Sequence, residues 1–168
     1  MFKLSFSSPI GPLTLLQDGE GITRLLWQSP GNGKGSPELF RARDQIDNYF
    51  QGTRKSFSLS LRPCGTKFQG RVWSVLMAIP YGKVKTYGEV ARTLETSPRA
   101  IGNACRQNPI PLIIPCHRVV GASGSLTGYS GGKGLKTKAF LLEHENSQKN
   151  FFKWTQPNQS SIYLKKVT

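Results

Sequence analysis

The apolar residues of this 168-residue chain change their spacing once, near Thr66, and that switch divides what the chain can fold into. Before it, Phe2, Leu4 and Phe6, then Leu13 and Leu15, then Phe57, Leu59 and Leu61 alternate with other residues, the pattern of half-buried strands. One helix lies between them. Ser36 can cap it with Pro37 in the first helical position, and Leu39, Ala42, Ile46, Tyr49 and Phe50 form its apolar stripe before Gly52 ends it. Residues 29–36, rich in Gly, Ser and Asn, read as a loop. Residues 1–65 are therefore expected to form a small antiparallel sheet with one helix.

After the switch the period is helical. Thr66 and Gln69 make a capping-box pattern ahead of Phe68, Val72, Val75, Leu76 and Ile79, and Thr86 with Glu89 makes a second ahead of Val90, Ala91 and Leu94. Ser97 and Pro98 open another helix that reaches about Gln107 before Asn108 and Pro109 stop it, so two short helices meet at a tight turn in a helix-turn-helix shape. In the second of them Ile101, Ala104 and Cys105 share one face; Arg99, Asn103 and Arg106 share the other, with Ala100 and Gly102 keeping the profile low. Spacing alone fits either a helix that lies close against DNA or an ordinary amphipathic helix with a solvated basic face. A last helix over about 135–144 turns Leu135, Ala139 and Leu142 inward. The fold class is mixed α+β in two parts, 1–65 and 66–146. A tail over 147–168 follows, and its Phe151, Phe152, Trp154 and Tyr163 leave open whether it frays or adds a strand.

Charge narrows the partners. Lys and Arg number 23 against 9 Asp and Glu, a formal charge of +14, with 11 basic and 4 acidic groups between 67 and 146 and 4 basic and no acidic ones after 146. Such a field favours a polyanion such as nucleic acid, or else serves only as a solubilising surface. No apolar run approaches the ~18 residues of a membrane span, and the start of the chain is too short in apolar residues for a signal peptide, so an intracellular protein is expected. Cys64, Cys105 and Cys116 form no CxxC pair, which fits a reduced compartment, and they and the two histidines lack zinc-ligand spacing.

The sequence Pro115-Cys116-His117-Arg118 sets a thiol beside a titratable base and a cation. A free thiol, with a pKa of about 8.5, is only partly ionised at neutral pH, so a reactive cysteine needs a proton acceptor or a positive field. On extended backbone the Cys116 and His117 side chains would point to opposite faces, which favours a water between them. The histidine also needs an orienting group, and Glu143 and Glu145 on the last helix are the candidates. The alternative reading is a structural cysteine beside a surface histidine.

The string IPCHRVV, together with FQGRVWSVLMAIPYGKVKTYGEVAR, SPRAIGNACRQNPIPLIIPCHRVV, GSLTGYSGG and FLLEHE, resembles the methylated-DNA-protein-cysteine methyltransferases, which repair O6-alkylguanine in DNA. The likeness covers Thr66 to about Glu145; the N-terminal part resembles the family's ribonuclease-H-like domain in layout. The resemblance implies that Cys116 accepts the alkyl group once and permanently, that His117 draws the thiol proton through water, that Glu145 holds His117, and that Asn108 fixes the local hydrogen bonds. It further implies that Arg99 fills the space left by a flipped nucleotide and that Tyr87 helps rotate it out. Ala100, Gly102, Asn103 and Arg106 would meet the DNA minor groove, with Ala104 among the small residues suited to it. Tyr129, Ser130, Val119 and Cys105 would line the alkylguanine pocket, Cys105 standing where relatives often carry a bulkier apolar side chain. The expected partner is double-stranded DNA containing O6-alkylguanine, with O4-alkylthymine left open; no cofactor, metal or membrane is expected, and the protein is expected to act as a monomer in the cytoplasm, or the nucleus of a eukaryote. Two rivals remain: a lesion-binding protein that transfers nothing, which would replace the motif cysteine, and a transcription regulator, which would present more base-reading side chains.

Overall fold

The computed structural model describes residues 1–29, 31, 33–146, 152–155 and 162–166. The chain divides into two compact units, 1–65 with 109–113, and 66–108 with 114–168. The first unit holds a three-stranded antiparallel sheet in the order β1 (Phe2–Ser8), β2 (Gly11–Asp18), β3 (Gly21–Leu26), and the helix α1 (Pro37–Phe50). Leu13, Leu15, Ile22 and Leu25 from the sheet and Leu39, Ala42, Ile46 and Tyr49 from α1 are buried. Ser36 caps α1 as expected, its hydroxyl accepting from the Leu39 N–H at 3.1 Å while it also meets the Gln17 side chain.

The third strand differs from the sequence expectation. Residues 57–60 form no strand, and Leu61 makes only an isolated parallel bridge with Ile22. The reason lies in α1. The Gln45 side chain both donates to the Ser58 carbonyl and accepts from the Ser58 N–H, and Glu38 accepts from the Ser60 N–H, so side chains satisfy main-chain groups that a ladder would otherwise pair. The third strand is instead Gly21–Leu26, whose alternation a register shift between Leu16 and Gln17 obscures.

The second unit contains α2 (Lys67–Met77), α3 (Tyr87–Thr93), α4 (Pro98–Arg106) and α5 (Leu135–Asn146). Both capping boxes form: Thr66 with Gln69 at α2, Thr86 with Glu89 at α3. Ser97 caps α4. A short parallel pair, β4 (Lys85–Thr86) with β5 (Val119–Val120), ties the start of α3 to the chain just after the cysteine motif. Strand β6 (Ser125–Leu126) pairs with β8 (Ile162–Lys166), which pairs with β7 (Phe152–Thr155), so part of the tail adds strands; Phe151 lies outside the described residues. Helix α5 runs two residues beyond the expected end, and those residues carry Glu145.

Trp73 fixes α4 against α2, because its indole N–H donates to the Ala104 carbonyl at 3.0 Å. That carbonyl belongs to the last turn of α4, where four acceptors lack intrahelical partners. Ala104 is thus buried against the protein, a correction to its expected place on the DNA-facing surface. Trp73→Phe keeps most of the packing and strands the carbonyl; urea unfolding should show a loss of about 1–3 kcal/mol, whereas an unchanged midpoint would mean that the bond carries no weight.

Candidate active site

Pro115 places the thiol. The buried run that ends at Ile114 meets a proline with φ −82° and ψ 65°, the geometry of an inverse γ-turn, and the Cys116 N–H donates to the Ile114 carbonyl at 2.8 Å. Cys116–Arg118 then closes a 3-10 turn, with the Arg118 N–H on the Pro115 carbonyl at 3.0 Å. The motif is therefore a tight turn and not extended backbone, which removes the ground for putting Cys116 and His117 on opposite faces.

Asn108 ties this turn to the end of α4. Its backbone N–H donates to the Cys105 carbonyl at 3.2 Å, and its side-chain amide donates to the Ile114 carbonyl at 2.8 Å and to Cys116 Sγ at 3.2 Å. Cys116 is buried, at 6% exposure. Burial pushes its thiol pKa up; the Asn108 hydrogen bond, the Lys138 charge and the backbone donors oppose that push.

Behind the thiol lies a closed ionic cluster. His117, fully buried, bonds Glu145 Oε1 through Nε2 at 2.8 Å. Arg118 grips the same carboxylate, Nε at 3.0 and 3.3 Å from its two oxygens and Nη2 at 2.9 Å from Oε1, while Nη1 donates to the Ile79 carbonyl at 2.7 Å. The backbone N–H of Gly82 lies 3.4 Å from Oε2. Gly82 sits at φ +74°, and a Cβ there would stand 3.2 Å from the Glu145 carbonyl, so this turn needs glycine. Burial pushes the Glu145 carboxyl up, but the contacts to His117 and Arg118 outweigh it and hold the group well below the usual carboxylate range. An ionised carboxylate can only accept, so His117 carries its proton on Nε2. Nδ1, which has no hydrogen-bond partner among the described residues, is left as the basic nitrogen. Burial, and then the Arg118 and Lys138 charges, hold the His117 pKa down against Glu145, which raises it. Glu143, the other candidate, is exposed.

Arg118 is consequently spent on Glu145 and is not the cation beside the thiol. Lys138 is. Its ammonium is fully buried; it donates to the Val119 carbonyl, to the Thr127 carbonyl at 3.0 Å and to the Tyr87 hydroxyl at 3.4 Å, and lies 5.5 Å from the centre of the Tyr87 ring. Burial lowers its pKa to about 8 against the pull of Cys116 and Cys105. Sequence reasoning missed it, although a lysine three residues after Leu135 and four before Leu142 stands on the inward stripe of α5. Tyr87 in turn donates to the Thr127 carbonyl at 3.0 Å. Cys105 is buried, its pKa pushed up to about 12 by burial and by Cys116, and Tyr129 is raised by the same two causes. Val119 is fully buried and offers Lys138 its carbonyl; Ser130 is exposed.

Outside this cluster an open cleft of about 320 Å³ is lined by Tyr87, Pro98, Arg99, Gly102, Arg106, Thr127 and Gly128. Four residues expected at the DNA surface, Tyr87, Arg99, Gly102 and Arg106, thus share one wall; Asn103 is exposed on α4 and Ala100 is half-buried. Tyr87 belongs both to the cleft and to the Lys138 cluster.

Residues 1–63 match the family described as "6-O-methylguanine DNA methyltransferase, ribonuclease-like domain", and residues 67–147 match "6-O-methylguanine DNA methyltransferase, DNA binding domain". The chain belongs to the methylated-DNA-protein-cysteine methyltransferase family. A methyltransferase of this name from Methanosarcina acetivorans is 44% identical over 157 residues, spanning 88% of this chain and 99% of its own, and the constitutive one of Bacillus subtilis is 39% identical over 151 residues, spanning 82% and 91%. The crystal structure of Mycobacterium tuberculosis OGT in complex with DNA superposes with a TM-score of 0.79 at 44% identity, covering 88% of this chain and 94% of that one. Among the described residues no helix of this methyltransferase family member is long and apolar enough to cross a membrane.

The thiol environment predicts reactivity. With iodoacetamide at neutral pH the exposed Cys64 should label well before Cys116, and Cys116 labelling should keep climbing above pH ~8.5, the ordinary thiol value. A plateau for Cys116 below that pH, read by peptide mass mapping, would contradict a thiol raised by burial.

Proposed function

We propose that this protein repairs alkylated DNA directly, by moving the alkyl group of an O6-alkylguanine in duplex DNA onto Cys116, once per molecule. The observation that carries this reading is the buried thiol, hydrogen-bonded by Asn108, under the charge of Lys138 and followed by a histidine whose Nε2 is locked on Glu145, while Lys138 in turn bonds Tyr87 of the cleft that helix α4 lines with Arg99 and Arg106. Cys116 sulfur attacks the alkyl carbon in line. The new S–C bond forms as the C–O bond to guanine breaks, the thiol proton passes through water to Nδ1 of His117, and guanine leaves with the electron pair on O6. Glu145 orients the imidazole and stabilises the imidazolium that forms.

A base stacked in a duplex cannot reach this thiol, so the nucleotide must swing out, at a cost on the order of a few kcal/mol that contacts in the opened state offset. In this reading Arg99 occupies the vacated stack and Tyr87 guides the nucleotide, while Tyr129, Ser130, Val119 and Cys105 form the base pocket. Ala100, Gly102, Asn103 and Arg106 lie along the minor groove, where contacts independent of sequence suit a search for rare lesions. The protein needs no cofactor, works as a monomer, and acts where the DNA is: in the cytoplasm, or in the nucleus of a eukaryote.

Cys116→Ala should abolish transfer from an O6-methylguanine duplex while lesion binding, measured by fluorescence anisotropy, stays within about threefold; persisting transfer would remove Cys116 as acceptor. Arg99→Ala should slow repair of duplex far more than repair of the free base, with the melting temperature nearly unchanged, and equal rates on both substrates would reject its role in flipping.

A further inference from the structure

The reaction above gives Arg118 nothing to do, yet the structure gives it a great deal. It is a nearly buried arginine, 7% exposed, that commits Nε and Nη2 to one carboxylate and Nη1 to the Ile79 carbonyl, with its guanidinium 5.9 Å from the centre of the Tyr81 ring. Glu145 Oε1 is thereby shared between the imidazole of His117 and the fork of Arg118.

A buried carboxylate facing a lone histidine favours the imidazolium, since the ion pair then satisfies the charge. Here that charge is already met by a guanidinium that stays protonated throughout. Charging His117 would set a second cation on a carboxylate that has one. The charged groups acting on His117 are Glu145 and Lys138 from α5 and Arg118 from its own turn, two cations against one anion, and none comes from α2, which also packs on this turn. Burial disfavours the charged imidazole first, and the two cations add to it against Glu145, so the resting imidazole is neutral, with Nδ1 able to take a proton when one is released.

We propose that Arg118 is a positioning residue which, by gripping Glu145, keeps His117 an uncharged base at rest and so keeps the single-use Cys116 a thiol until a lesion is bound. The use of Cys116 rests on the functional reading above; the state of His117 does not. Premature charging of His117 would place a cation beside the sulfur, promote the thiolate, and expose an acceptor that works once to any small electrophile.

The test is 15N NMR of His117 in the full DNA-free chain across pH 5–9, together with iodoacetamide labelling of Cys116 at pH 7. Wild type should show the neutral tautomer with Nε2 protonated. Arg118→Gln, which keeps a donor toward Glu145 and removes the charge, should show His117 charged at pH 7 and Cys116 labelled about ten-fold faster. Arg118→Lys should lie between the two, because a point charge covers the carboxylate less fully than the fork. The double variant Arg118→Gln with Glu145→Gln should return His117 to the neutral form. A role in packing alone would leave His117 neutral at pH 7 in Arg118→Gln as in wild type, and that result overturns the proposal. If Arg118→Gln does not fold, Arg118→Lys decides, since a charging pH equal to that of wild type also overturns it. Methyl transfer from an O6-methylguanine duplex is measured on the same wild-type preparation. Its absence defeats the functional reading and leaves the assignment of His117 standing, while normal transfer with an uncharged His117 in Arg118→Gln defeats only the present inference.

Discussion

One carboxylate, Glu145, holds the site together. It lies at the end of α5, is buried, and receives His117 and Arg118 from the cysteine turn and the Gly82 N–H from the turn after α2. Three segments far apart in sequence therefore meet on two oxygen atoms. Removing one partner of such a buried pair leaves an uncompensated charge, with a cost on the order of 3–5 kcal/mol. The same contacts fix which nitrogen of His117 is protonated, so the interaction that closes the second unit also sets its chemistry.

Around this point the second unit separates two tasks. The outer wall, with Arg99, Gly102 and Arg106 on α4, lines the cleft with positive charge and a low profile. The inner cluster of Cys116, Lys138, Asn108 and His117 is closed and, His117 Nδ1 apart, holds its polar groups in hydrogen bonds that a low dielectric strengthens. Tyr87 stands at the border, its ring in the cleft wall and its hydroxyl bonded to the Thr127 carbonyl and accepting from Lys138. A thiol kept back from solvent fits the single use that the proposed function gives it, and the exposed Cys64 is the more accessible thiol to stray electrophiles.

Much of this was legible in residue order because the signals are local. Capping boxes at Thr66 and Thr86 and the Ser36 and Ser97 caps declared their helices, and the cysteine motif with its surrounding strings declared the family. What failed was non-local. Residues 57–61 alternate like a strand, but Gln45 and Glu38 took their backbone partners. Cys116 and His117 looked extended until the φ and ψ of Pro115 made a turn. Arg118 looked like the cation beside the thiol, whereas the carboxylate that claims it lies 27 positions later, and Lys138 supplies that charge from a helix face that spacing marks as apolar. Which partner a buried charge chooses depends on packing, and spacing along the chain does not encode it.

The most direct measurement of the account is peptide mass mapping of the whole chain after incubation with a duplex carrying a single O6-methylguanine. One methyl group on the peptide containing Cys116, in amount equal to the guanine restored, is the expected result. Methyl on Cys105 or Cys64, or restored guanine with an unmodified Cys116, would contradict it.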